Sequence, residues 1–139
     1  MLPGRVIPFN EPSNLHSQVD GRPQIVVQIG RDSELLRLRA RIISSAGYTV
    51  HSVSPDEATA QIRNARARQV WVFCHTLEFY ELALLAVAVR NNCPNDKLLR
   101  LNGLHDIGLA PELFDELFEP VNGVEDLLQV VAALANEAS

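Results

Sequence analysis

The sequence predicts an α/β domain: a five-stranded parallel sheet in the flavodoxin-like order 2-1-3-4-5, with helices on both faces and a fourth helix that is short or missing. Three observations carry this. Short strand-like runs recur at residues 25–29, 48–53, 70–73, 97–101 and 116–118. Segments with a helical spacing of apolar residues separate most of them. The run Val70-Trp71-Val72-Phe73 shows no polar alternation, as expected of a central strand buried on both faces.

Taken in order, residues 1–23 contain Pro, Asn, Ser and Gly without a sustained period and read as a flexible N-terminal arm, leaving 24–139 as the domain. The arm's Val6, Ile7 and Phe9 are apolar enough to dock on the domain or a partner. The first strand, 25–29, ends at Gly30, and Asp32 or Ser33 can cap the helix that follows. That helix reaches about residue 46, with Leu35, Leu38, Ile42 and Ala46 on one stripe and Leu36 and Ile43 beside it. Gly47 supplies its left-handed end.

After the second strand, Ser54-Pro55-Asp56-Glu57 forms a helix start with a cap, a first-turn proline and a capping box. Ala58, Ile62 and Ala65 make the buried stripe. The central strand then leaves at Cys74-His75-Thr76. Ligand sites in open α/β sheets form beyond the carboxyl ends of strands, so Cys74 occupies a place of functional interest. The third helix, about 77–91, is apolar on more than one face through Leu82, Leu84, Leu85, Val87 and Val89. Such a helix is either deeply buried or engaged with a partner.

The fourth strand, 97–101, has alternating charge that places it nearer the sheet edge and leaves at Asn102-Gly103. Gly103, Gly108 and Pro111 break any long helix before the fifth strand, so one short turn or a loop is expected there. Glu119-Pro120 follows that strand. Asn122 with Glu125 can cap the last helix, which buries Leu127, Leu128, Val131 and Leu134. Trp71, Phe114, Leu117 and Phe118 are expected in the core, and Phe79 and Tyr80 are expected to pack.

Composition narrows the function classes. The 139 residues suit one core, and the net charge of -5 argues against a general nucleic-acid binder. Arg37, Arg39, Arg41, Arg63, Arg66 and Arg68 read as solvated helix faces. The two cysteines, Cys74 and Cys93, form no CxxC pair, which favours a reducing, cytoplasmic setting. Pro3, Pro8 and Pro12 interrupt any leader-like apolar run, and the longest apolar stretch, 82–89, is too short for a bilayer. A soluble protein without membrane contact is expected. His16, His51 and His105 are scattered and read as surface or loop residues.

From residue 24 to 135 the chain resembles a response-regulator receiver domain of the CheY-like superfamily. The likeness rests on Ser33-Glu34-Leu35-Leu36 after the first strand and on the helix-to-strand junction Ser45-Ala46-Gly47-Tyr48-Thr49-Val50. It rests also on Leu117-Phe118-Glu119-Pro120-Val121 followed by Glu125-Asp126-Leu127-Leu128. The resemblance implies two-component, or phosphorelay, signalling and partners such as a histidine kinase, another regulator or a second copy. It also implies a cis bond before Pro120.

The resemblance equally exposes a degenerate pocket. Where receivers carry a phosphoacceptor Asp after the third strand, Cys74 stands. Gly30 and Arg31 replace the acidic pair that holds Mg²⁺, with Asp32 just beyond. Asn102 replaces the phosphoryl-sensing Thr or Ser, and Glu119 replaces the Lys before Pro120. No catalytic residue, metal site or cofactor is therefore expected, and Arg31 and Glu119 are charges of opposite sign able to pair across the pocket. The expected role is a stand-alone pseudo-receiver acting by protein–protein interaction without aspartyl phosphorylation. Two alternatives remain open: a redox sensor using Cys74, activated by Arg31 and the next helix start, or a small-ligand domain on a flavodoxin-like frame. Gly30 stands alone without a Gly-rich loop, which disfavours nucleotide or flavin.

Overall fold

The computed structural model describes residues 24–101, 111–119 and 122–137. The proposed N-terminal arm, 1–23, lies outside the described residues. The elements are β1 (Ile25–Ile29), α1 (Ser33–Ser44), β2 (Thr49–Val53), α2 (Pro55–Arg63), β3 (Gln69–Phe73), α3 (Phe79–Asn92), β4 (Lys97–Leu101), a 3-10 turn (Pro111–Leu113), β5 (Glu116–Phe118) and α4 (Val124–Glu137). The strands form one parallel sheet in the order β2-β1-β3-β4-β5, as the sequence predicts. The connection from β4 to β5 contains one 3-10 turn among its described residues, and 102–110 lie outside them.

Local sequence accounts for the element ends. Asp32 caps α1, accepting at Oδ1 from the N–H groups of Glu34 (3.0 Å) and Leu35 (3.2 Å). Gly47 takes φ of 101°, the left-handed conformation that ends the first α-unit. Ser54 and Glu57 complete the capping box of α2: Ser54 Oγ accepts from Glu57 N–H at 3.3 Å, and Glu57 Oε1 accepts from Ser54 N–H at 2.8 Å.

Alternate strand residues feed two core layers. Val26, Val70, Val72 and Leu99 pack with Leu36 and Ile43 of α1 and Leu127, Val131 and Leu134 of α4. Val27, Ile29, Trp71, Phe73 and Leu98 pack with Ala58 and Ile62 of α2 and Leu82, Leu85 and Val89 of α3. Every residue of β3 is buried, which makes it the central strand. Trp71 keeps its indole N–H satisfied by donating to the buried carboxylate of Asp96 at 2.8 Å. Burial raises the Asp96 pKa above the usual carboxylate range, against the Trp71 hydrogen bond, which lowers it.

Some placements differ from expectation. Phe114 is buried edge-to-face against Phe73, with ring centroids 5.4 Å apart, and Phe118 is buried, but Leu117 is 38% exposed. Leu117 lies on the short outermost strand β5, on the residue parity opposite to Phe118. Phe79 and Tyr80 are 51% and 60% exposed rather than packed. They occupy the first turn of α3, and the buried side of that helix is carried by Leu82, Leu85, Ala86 and Val89. β4 lies one strand in from the edge, and its Arg100 is buried despite its charge.

Candidate functional site

The register pairs Ile29 with Phe73, so the residues that follow them, Gly30 and Cys74, leave adjacent strands side by side. Cys74 N–H donates to Ile29 C=O at 3.0 Å, and Gly30 N–H donates to Val53 C=O at 3.1 Å. A Cβ on Gly30 would stand 3.0 Å from Cys74 Cβ, 3.1 Å from its Sγ and 3.1 Å from Thr76 Oγ1. Any side chain at Gly30 would therefore press on Cys74 and Thr76 and require them to shift. Gly30, Arg31, Asp32 and Cys74 gather at the carboxyl ends of β1 and β3, and Glu119 follows β5 directly. Asn102 and Pro120 lie outside the described residues, and with them the expected cis bond.

Arg31 turns toward α3. Its backbone N–H donates to Thr76 Oγ1 at 3.0 Å, and its guanidinium forms a bidentate pair with Glu81, with Nε 3.1 Å from Oε1 and Nη2 bonded to Oε2. Glu81 also accepts from Glu78 N–H at 3.1 Å. The cation expected to pair with Glu119 is therefore held by Glu81 instead. The physical reason is topological: β1 and β3 are neighbours, so the loop after β1 lies against the start of α3. The Arg31 hydrogen bond holds the Glu81 carboxyl below the usual carboxylate range.

The cation beside Cys74 is Arg39, not Arg31. Arg39 Nη1 donates to Cys74 Sγ at 3.0 Å and lies 3.4 Å from Gln28 Oε1. Gln28 is fully buried on β1, donating through Nε2 to Leu36 C=O at 2.5 Å and to Ser52 Oγ at 2.8 Å. A continuous polar network thus runs from Ser52 through Gln28 and Arg39 to Cys74. Burial pushes the Cys74 thiol up to about 11, with Arg39 pulling the other way and losing. At neutral pH the group is a protonated thiol, a weak nucleophile.

The sequence alone assigns no site role to Arg39, Gln28, Thr76 or Glu81, and it reads Arg39 as part of a solvated helix face. For two of them a signal exists. Arg39 lies three residues after Leu36 and four before Ile43, on the buried stripe of α1, so it is not a solvated position. Gln28 is the lone polar residue in an otherwise apolar strand.

This arrangement does not fit Mg²⁺, which takes oxygen ligands and one or two carboxylates. Gly30 offers no side chain, Arg31 adds a positive charge nearby, and the Asp32 Oδ1 is committed to the N-terminus of α1. Among the described residues no group of three or more His, Cys, Asp or Glu is placed to hold a metal ion. Among them, too, no helix is long and apolar enough to cross a membrane.

No family model and no curated protein matches the chain. Solved structures do. A CheY-like response regulator receiver domain protein from Methanospirillum hungatei JF-1 superposes with a TM-score of 0.73 at 18% identity, covering 84% of this chain and 96% of that one. An adenylate cyclase structure from Rhodopirellula baltica gives a TM-score of 0.72 at 18% identity, covering 84% and 90%. A response regulator receiver protein from Sinorhizobium medicae WSM419 gives 0.67 at 19%, covering 84% and 98%. With the strand order and the helices on both faces, these similarities show that the chain has the fold of response-regulator receiver domains.

Proposed function

We propose that this chain is a degenerate receiver, a non-catalytic interaction module of two-component signalling that works without aspartyl phosphorylation. The observation that carries the reading is Cys74 at the end of β3, buried and bonded by Arg39 at 3.0 Å. Aspartyl phosphorylation needs a carboxylate open to the phosphodonor; here a buried thiol is bonded to an arginine. The rest of the pocket supports the same reading, since Gly30 and Arg31 bring no acidic pair and Asp32 caps a helix. The fold shared with receiver domains supplies the signalling context.

A module of this kind acts through what it binds: a histidine kinase, another regulator or a second copy of itself. The raised pKa and burial of Cys74 weigh against the redox-sensor alternative. The test is affinity capture of the tagged chain from its source cells, with bound proteins identified by mass spectrometry. Recovery of a histidine kinase or a response regulator, confirmed by direct binding of the purified pair, is expected. A folded, abundant chain that enriches no signalling protein contradicts the reading.

A further inference from the structure

We propose that the outer edge of β2 is a self-association surface, on which a second copy of the chain adds its own β2 antiparallel, centred on His51. The strand order makes β2 and β5 the two edges of the sheet. They are protected very differently. β5 has three residues and carries the exposed Glu116, so it is short and charged, which discourages a further strand. β2 has five residues, Thr49-Val50-His51-Ser52-Val53, with no lysine, carboxylate or proline, and among the described strands it pairs only with β1.

The backbone fixes the geometry. Thr49 N–H donates to Gln24 C=O at 2.8 Å, and Val53 C=O accepts from Gly30 N–H at 3.1 Å. In a parallel pair, alternate residues aim both backbone groups at one neighbour. Thr49, His51 and Val53 therefore bond to β1, while Val50 and Ser52 present N–H and C=O outward. An antiparallel partner uses such residues in hydrogen-bonded pairs. With the twofold axis at His51, Val50 of one copy exchanges both bonds with Ser52 of the other, and symmetry repeats the exchange. The two His51 residues then form a non-hydrogen-bonded pair.

Charge selects the occupant and its direction. The helices flanking β2 are acidic where they start and basic where they end. α1 has Glu34 in its first turn and Arg41 in its last, and α2 has Asp56 and Glu57 in its first turn and Arg63 in its last. All five side chains belong to exposed residues. Both helices start at the carboxyl end of the sheet. An antiparallel second copy sets acidic starts beside basic ends on both faces of the joined sheet, whereas a copy running the same way sets like charges together.

The experiment is sedimentation equilibrium of the full chain with site-directed cross-linking in a Cys93→Ala background, Cys74 being buried. A non-hydrogen-bonded antiparallel pair holds its Cα atoms about 4.5 Å apart, within disulfide reach. His51→Cys is expected to form a covalent dimer under mild oxidation. Thr49→Cys is expected not to, because its symmetry mate lies on the order of 14 Å away along the ladder. The chain without substitutions is expected to sediment as a dimer, and His51→Lys as a monomer that keeps the circular dichroism spectrum of the fold, while only the unsubstituted chain has a melting temperature that rises with protein concentration. A monomer at all concentrations, including one formed because another segment of the same chain occupies the edge, overturns the proposal. So does a dimer in which Thr49→Cys cross-links as well as His51→Cys.

Discussion

At Cys74 two opposing effects meet, and their relative size decides the chemistry. Arg39 at 3.0 Å stabilises a thiolate, burial opposes it, and burial wins with a pKa of about 11. In the Cys93→Ala background, a thiol reagent at neutral pH is expected to leave the native chain unlabelled and to label it once denatured. Rapid labelling of the native chain contradicts this. The strand-end cysteine was legible in the sequence because the central strand is an uninterrupted apolar run. Its cation was not, because Arg39 reads as one of several helical arginines, although it shares the apolar stripe of Leu36 and Ile43.

Asp96 holds the buried indole of Trp71 in place. Asp96→Ala leaves the buried indole N–H of Trp71 without its acceptor and is expected to cost about 1–3 kcal/mol. Asp96→Asn keeps an acceptor oxygen and is expected to cost less; Trp71, the one tryptophan, reports both by fluorescence during denaturant unfolding. The sign of the pH effect follows from the raised carboxyl pKa. The contribution of Asp96 is fully present below the unfolded carboxylate value of about 3.9 and is lost as pH rises through the higher folded value. Asp96→Asn is expected to flatten that part of the stability profile, and an unchanged profile contradicts the assignment.

Among the elements, α3 departs furthest from its reading. Its apolar residues on more than one face suggested deep burial or a partner, and the structure divides them. Leu82, Leu85, Ala86 and Val89 are buried, while Tyr80, Leu84 and Val87 form an exposed stripe at i, i+4 and i+7. Leu84 is 68% exposed and Leu85 is 8% exposed, so adjacent leucines test the rotation of the helix. Leu85→Ala is expected to cost about 2–5 kcal/mol, and Leu84→Gln to change stability by no more than about 0.5 kcal/mol, both by chemical denaturation. Equal costs would contradict the placement. Strand bounds were legible to within a residue because sharp apolar limits mark the buried strands β1, β3 and β4, and Gly47 and Ser54-Pro55 bracket the exposed strand β2. The side that α3 buries was not, since an all-round apolar helix has little periodicity to read.

For the whole molecule, the fold was legible in the sequence because every level agreed: apolar strands, capped helices and crossovers of suitable length all specify one parallel sheet. The candidate site was legible only as a set of strand-end residues. How they are held depends on contacts distant in sequence, Arg31 with Glu81 and Arg39 with Cys74, which no local pattern announces. On the proposed reading, the site stays inert toward phosphoryl donors. The most direct test is intact-mass measurement of the folded chain after incubation with a small acyl phosphate donor and Mg²⁺, beside an active receiver domain. An unchanged mass is expected for this chain while the active receiver gains a phosphoryl group. A stable phosphoryl adduct on this chain, mapped to Asp32 or to any residue around Cys74, would contradict it.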